Sequence, residues 1–271
     1  MSGFVCPVCG GILEREERTY RCPLGHSFDV ARQNYVNLLL PNRSGAQDPG
    51  DSQEMVEARA RFLGGGYYRP LAETLGTLCG ELSGGNPVSL LDAGCGEGTY
   101  LETVARQLPP GSRCVGIDLS RPALRRAGKR IPQAEFAVAS LFHLPLGDGS
   151  VDLVLHVFAP PAPEEFARVL RRGGTLVSVT PGPRHLWGLK TALYEQPYEN
   201  DGEVRPMGTL VHRRRVKTQG TITVTPGEDI AALYHMTPYA WRSPRESARR
   251  LLERERLETP FEFQIDLYEK A

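Results

Sequence analysis

Between residues 88 and 180, short apolar runs alternate with stretches whose apolar positions recur at helical spacing. The runs at 88–92, 113–118, 135–138, 151–158 and 175–180 predict strands, and 98–107, 121–130 and 164–171 predict helices. Alternation of this kind implies a parallel sheet with right-handed crossovers. Upstream, Asp51 is expected to cap a helix, with Glu54 three residues on as its capping-box partner. Met55, Ala58 and Phe62 give that helix an apolar stripe, and Gly64-Gly65-Gly66 ends it. A second helix runs through Leu71, Leu75 and Leu78. Downstream the pattern changes. Residues 209–217 and 221–225 alternate like a hairpin about Gln219-Gly220, helices are expected near 228–234 and 244–256, and 261–267 alternates as a last strand. An antiparallel edge is thereby added late to a parallel sheet. The first 36 residues are short, turn-rich and cysteine-bearing, and a polar linker follows at 41–50.

These patterns divide the 271 residues into three parts: a module at 1–36, a linker with helices at 37–80, and an α/β domain at 81–271. Lys+Arg and Asp+Glu are equal at 32 each, so nucleic-acid binding would rest on local basic patches rather than on a global field. Such patches occur at His212-Arg213-Arg214-Arg215-Val216-Lys217 and at Arg242, Arg245, Arg249 and Arg250. No apolar run reaches membrane-spanning length and the start lacks a secretory pattern, so a cytoplasmic protein without membrane contact is expected. Cysteine usage is uneven: Cys79, Cys95 and Cys114 fall in or beside core elements, while three cysteines crowd the first 22 residues.

Those three point to a metal. Cys6-Pro7-Val8-Cys9 precedes Gly10-Gly11, and Cys22-Pro23-Leu24-Gly25-His26 supplies a second glycine-bearing turn. Two such turns offer Cys6, Cys9, Cys22 and His26, a closed tetrahedral set suited to one structural zinc. A segment this small buries too little surface to fold alone, and zinc contributes roughly 10–16 kcal/mol in comparable peptides.

The first strand of the α/β part runs into Asp92-Ala93-Gly94-Cys95-Gly96-Glu97-Gly98, and the second ends on Asp118. The glycine spacing lacks the last step of the dinucleotide fingerprint. Loop and acid together resemble the first two motifs of class I S-adenosylmethionine methyltransferases. That donor has no phosphate but needs close backbone approach, which Gly94 and Gly96 allow. Asp118 is placed to accept from ribose hydroxyls, and Ser140-Leu141 occupies the position expected to meet adenine. The fourth strand ends His156-Val157-Phe158-Ala159-Pro160-Pro161. Ala159 stands where many amino-methyltransferases carry Asn or Asp before the prolines, which disfavours exocyclic amine chemistry. Phe158 and Pro160 could hold a flat base by stacking and shape. His185, in Thr180-Pro181-Gly182-Pro183-Arg184-His185-Leu186, is a candidate for cofactor or substrate contact.

Across its length the chain resembles the bacterial RlmA (RrmA) 23S rRNA guanine-N1 methyltransferases. The resemblance rests on the cysteine turns, Tyr35-Val36-Asn37-Leu38-Leu39, Asp48-Pro49-Gly50-Asp51-Ser52, the Asp92–Gly98 loop, the Pro-Arg-His segment and Met236-Thr237-Pro238-Tyr239-Ala240-Trp241. It implies a Rossmann-like class I fold with a seven-stranded mixed sheet and a small N-terminal zinc-binding module. It implies that Cys6, Cys9, Cys22 and His26 are zinc ligands and that Tyr68, Gly96, Glu97 and His185 touch the donor. It further implies a guanine in a hairpin loop of 23S rRNA as acceptor, S-adenosylhomocysteine as product, and a homodimer with an RNA-binding cleft. Some members protect ribosomes from macrolides. One departure is Phe158, where tyrosine is expected, which argues against an essential tyrosine proton relay.

Guanine N1 carries a proton that a base or solvent must take. Asp51, His156, Glu165 and His185 are all candidates, and orientation alone could supply much of the rate. Two other readings compete. One is a methyltransferase of a small molecule, opposed by the cysteine module and the 48–52 segment and separable by methylation of protein-free 23S rRNA. The other is a non-enzymatic, donor-sensing nucleic-acid-binding protein, opposed by the intact loop and Asp118 and separable by turnover.

Overall fold

The computed structural model describes residues 3–40 and 50–271. The predicted linker at 41–50, Gly50 excepted, lies outside the described residues, as do Asp48 and Pro49.

The N-terminal segment forms an antiparallel sheet of β1 (Glu14–Glu16), β2 (Thr19–Arg21) and β3 (Ser27–Asp29), then the two-residue strand β4 (Val36–Asn37). Helices α1 (Gln53–Gly64) and α2 (Arg69–Leu82) follow. The α/β part runs β5 (Ser89–Ala93), α3 (Thr99–Gln107), β6 (Arg113–Asp118), α4 (Arg121–Arg130), β7 (Glu135–Val138), β8 (Val151–Val157), α5 (Pro163–Val169), β9 (Leu170–Pro181) and α6 (Trp187–Leu193). The chain closes with β10 (Val211–Val224), α7 (Gly227–His235), α8 (Tyr239–Arg242), α9 (Arg245–Leu252) and β11 (Leu257–Glu269).

The large sheet has the order β10-β11-β9-β8-β5-β6-β7-β4. Strands β4 to β9 pair in parallel, and β11 joins β9 and β10 antiparallel. Seven of these strands form the expected mixed sheet. The eighth, β4, is the N-terminal segment laid along β7 through Val36 and Ala137.

Successive strand residues face opposite sides. Leu90 and Val177 therefore pack with α2, α3, α6 and α7, whereas Leu91 and Leu176 pack on the other side. That second core contains Phe4, Leu13 and Tyr20 of the N-terminal module together with Val115, Ala137 and Leu146. The Tyr20 hydroxyl donates to Glu135 Oε1 at 2.8 Å, and Phe4 meets Tyr20 edge-on at 5.6 Å. The module thus completes a core that the sheet already needs.

Three expectations are corrected. Residues 209–225 are not a hairpin: β10 runs straight through Gln219-Gly220, because Gly220 stands opposite Phe261. A Cβ on Gly220 would lie 2.8 Å from the Phe261 ring, so this glycine makes room for a cross-strand aromatic rather than turning the chain. Asp51 does not cap α1. Ser52 does, with its Oγ accepting from Met55 N at 3.3 Å, and Asp51 is taken by Arg59 at 2.5 Å. The helix expected at 244–256 ends at Leu252, and the last strand extends to Leu257–Glu269.

Candidate active site and metal centre

Two tight turns bring the metal-type side chains together. Cys9 Sγ lies 3.6 Å from Cys22 Sγ, and His26 Nδ1 lies 3.3 Å from Cys22 Sγ and 3.6 Å from Cys6 Sγ. All four ligand atoms fall within 4.8 Å of one another. A tetrahedron with Zn–S bonds of about 2.3 Å has S–S edges of roughly 3.8 Å, and the three separations of 3.3–3.6 Å are close to that, so the set suits one zinc. Cys79, Cys95 and Cys114 are free, buried and apart from it.

The second site is a cavity of about 820 Å³ at the carboxyl ends of the parallel strands, the place where open α/β sheets hold ligands. One end is built by the loop after β5. Gly94 has φ +86°, and a Cβ there would come within 2.5 Å of Ala159 Cβ, so the loop and the β8 exit touch as closely as backbone permits. Asp118 holds the loop from below: its Oδ2 accepts from Gly96 N at 2.9 Å and its Oδ1 from Ser120 N at 2.8 Å. Glu97 is 1% exposed, and its Oε1 accepts from Thr99 Oγ1 at 3.0 Å. Its Oε2 is buried and has no partner.

Asp92 lies under the loop, off the cavity wall, and burial, then the Asp118 and Glu97 charges, push its carboxyl far above the usual range. Burial, chiefly, also raises Asp118. Of these acids, Asp118 and Glu97 line the cavity, and the buried Glu97 Oε2 is left without a donor. Facing them on α1 is Arg59, paired with Asp51 and close enough to Glu97 and Asp118 to feel their charge. The Asp51 carbonyl accepts from Ser120 Oγ at 2.8 Å, so 50–51 is stitched across the cavity rim. Ser140 and Leu141 line the same end.

Tyr68 and His185 form the floor. His185 Nδ1 accepts from Glu262 N at 3.2 Å, so the other ring nitrogen carries the proton and donates to the Tyr68 hydroxyl at 3.2 Å. The Tyr68 O–H is then left to donate into the cavity. Burial, with Lys190 adding to it, pulls His185 down to about 3. This value is below the unfolded value of about 6.5, so the neutral ring's contribution to stability is complete above that pH and is lost as pH falls toward the folded value. His156 shifts in the same direction through burial. Urea unfolding is therefore expected to show wild type losing more stability than His185→Gln between about pH 7 and pH 4. Equal losses would reject this account.

The other end of the cavity is aromatic. Phe158, the residue after β8, has φ +55°, a left-handed conformation that is strained for a bulky residue. It is 44% exposed, and its ring lies 5.6 Å from Phe263 and 6.5 Å from His185. Pro160 and Pro161 line the exit beside it. His156 is buried at the same wall, with Nδ1 3.1 Å from Ser178 Oγ. Its Nε2 lies near the Ala159 and Pro160 backbone without a formed hydrogen bond. Glu165 is elsewhere: Arg168 grips it at 2.6 Å and it accepts from Leu144 N.

Sequence reasoning missed Arg59, which looks like any helix-surface arginine, and Lys190, which is fully buried. Lys190 Nζ donates to Tyr198 O and Asn200 Oδ1, both at 2.8 Å, and so fixes two cavity-lining residues. The predicted basic patches are largely neutralised. Arg213 pairs with Glu269, Arg214 with Glu81, Arg215 with Asp266, and Arg249 with Glu246 and Glu253. By contrast, Arg121, Arg125, Arg126 and Lys129 on α4 are exposed and have no ion-pair partner among the described residues. No described helix is long and apolar enough to cross a membrane.

Family models match both the cysteine module and part of the α/β region. A family model described as "RlmA, N-terminal" matches residues 4–43, and one described as "Methyltransferase domain" matches 90–174. The 23S rRNA (guanine(748)-N(1))-methyltransferase of Streptomyces fradiae is 40% identical over 254 residues, 92% of this chain and 89% of its own. A relative from Micromonospora griseorubida, provisionally named for 23S rRNA guanine-N1 methylation, is 36% identical over 88% of this chain and 86% of its own. Among solved structures, the YcgJ protein of Bacillus subtilis shares the fold, with a TM-score of 0.50 and 13% identity over 73% of this chain and 97% of its own.

Proposed function

The chain belongs to the family of 23S rRNA (guanine-N1)-methyltransferases, and on that premise we propose that it moves the methyl group of S-adenosylmethionine to N1 of a guanine in a hairpin loop of 23S rRNA. The observation that carries this is that the likeness runs through both the cysteine module and the catalytic domain, which a methyltransferase of small molecules has no need to combine.

Gly94, Gly96, Glu97, Asp118, Ser140, Leu141, Tyr68 and His185 would hold the donor, with Asp92 bracing the loop from beneath. When bound, the donor supplies an electrophilic methyl on a sulfonium cation. Asp118 and Glu97 on the cavity wall suit that charge and the neighbouring ammonium, and Arg59 is the cation placed to meet the donor's carboxylate. Cys6, Cys9, Cys22 and His26 would hold a structural zinc. Its part in this reading is to fix the module against the sheet. The division at 1–36, 37–80 and 81–271 and a cytoplasmic homodimer belong to the same reading.

The acceptor base would rest against Phe158 and Pro160, unstacked from its loop. Of the four candidate bases, Asp51 is held by Arg59, Glu165 is held by Arg168, and His185 has both ring nitrogens engaged. His156 lines the acceptor end, and its Nε2, buried against the Ala159 and Pro160 backbone, forms no hydrogen bond. Its depressed pKa keeps it neutral near pH 7, so we assign to it the removal of the N1 proton, with Ser178 holding the ring. General-base removal contributes about 10²–10⁴-fold. His156→Ala should lower kcat on that scale in single-turnover assays while donor affinity holds, and an unchanged kcat would discard the assignment.

The function itself is tested by incubating protein, donor and unmodified 23S rRNA and then extending a primer across the product. N1 methylation blocks base pairing, so one strong stop at a guanine is expected. Mass spectrometry of the digest should identify N1-methylguanosine. Full-length extension with no methylated guanosine would overturn the reading.

A further inference from the structure

Trp241 is 75% exposed. An indole is seldom left in water unless a partner covers it. It lies in the wall of the large cavity, where Phe158 and Tyr198 are also exposed aromatics. Its own ring stacks on nothing: the ring pairs and cation–ring contacts of the described residues do not include it.

The backbone that carries it is braced. The Tyr234 hydroxyl donates to Ala240 O at 3.3 Å and lies 2.9 Å from Ser243 Oγ, gripping α8 from both sides of Trp241. Thr237 Oγ1 donates to Tyr234 O at 2.8 Å, and Tyr239 packs edge-on against Tyr194 at 6.2 Å. The exposed ring therefore stands on a turn held by its neighbours. The adjacent Arg242 is exposed, lines the same cavity and has no ion-pair partner among the described residues. A flat apolar ring beside an unpaired guanidinium matches one unstacked nucleotide: a base for the ring and a phosphate for the cation.

We propose that Trp241 is a stacking platform for a nucleotide flanking the target guanine, with Arg242 on the adjoining phosphate, so that the rRNA loop is held open on both sides of the modified base. This rests on the rRNA reading above and adds a second base contact to that of Phe158.

The probe is the RNA hairpin that contains the primer-extension stop. In a Trp187→Phe background, Trp241 is the remaining tryptophan, and adding hairpin should quench its emission. Trp241→Ala should weaken hairpin binding about 5- to 150-fold, the range for loss of one base–aromatic stack. KM for RNA should rise, kcat at saturating RNA and donor affinity should hold, and Trp241→Phe should restore most of the loss. Hairpin binding and methylation by Trp241→Ala equal to wild type would overturn the proposal and leave the rRNA reading standing. A shift of Trp241→Ala from dimer to monomer with RNA affinity intact would overturn it too, by assigning the ring to a subunit contact. Absence of methylation by wild type would instead remove the rRNA reading and this proposal with it.

Discussion

Cys22→Ser should yield a protein without zinc whose N-terminal segment is unfolded. Cys22 is buried and stands within 3.6 Å of both Cys9 Sγ and His26 Nδ1, so its loss opens the set between two other ligands. Structural zinc contributes roughly 10–16 kcal/mol in isolated finger peptides, far more than strands of three residues can replace. Phe4, Leu13 and Tyr20 leave the second core when the module opens. Metal analysis should find one zinc per wild-type chain and none in the variant, and limited trypsin treatment should cut the variant first at Arg15, Arg18 and Arg21. A variant that keeps its metal and resists trypsin as wild type does would refute the assignment of these ligands.

Gly94→Val should weaken donor binding severely with little loss of overall fold. Two costs coincide there: a β-branched residue forced to φ +86°, and a Cβ 2.5 Å from Ala159 Cβ. Left-handed strain and overpacking each cost about 1–3 kcal/mol. Relief requires the loop to move, and the loop is anchored through Gly96 N to Asp118, so the cradle is disturbed. A loss of affinity on the order of 100-fold or more is expected for S-adenosylhomocysteine in calorimetric titration, from about 3 kcal/mol of combined strain. Gly85→Ala is the control: it has φ +79° and nothing within 4 Å of its would-be Cβ. It should lose some stability and no affinity. Equal affinity in Gly94→Val and wild type would show that the loop does not hold the donor.

Much of the loop end of the cavity could be read from the chain, because each part is local. β6 and β7 fall on the predicted residues, and the loop, Asp118 and Ser140 follow the strands that carry them. The misreadings share a cause, which is that a distant residue decides the local structure. Gln219-Gly220 has the chemistry of a turn, but Phe261 from the last strand claims the space over Gly220. Asp51 has the chemistry of a cap, but Arg59 and Ser120 draw it to the cavity rim. Val36-Asn37 is too short to show a period and becomes a strand only because β7 lies beside it. The aromatic end of the cavity, which we propose holds the acceptor, was partly legible. Phe158 and Pro160 stood out by sequence, but choosing His156 among four bases required seeing which partners the other three had already taken.

Among the described residues only the isolated bridge of Val30 to Val36 continues the sheet beyond β4, and a thinly covered strand edge invites another chain to add to it. β4 covers β7 only at Val36 and Asn37, and it is tethered to the module whose turns the zinc would close. Chelation would therefore do more than loosen a small appendage. It would free the cover of β7 and leave a parallel strand of sequence Glu-Phe-Ala-Val open at the rim. The metal-free protein should then fail by association: light scattering that rises with protein concentration ahead of any loss of helical signal.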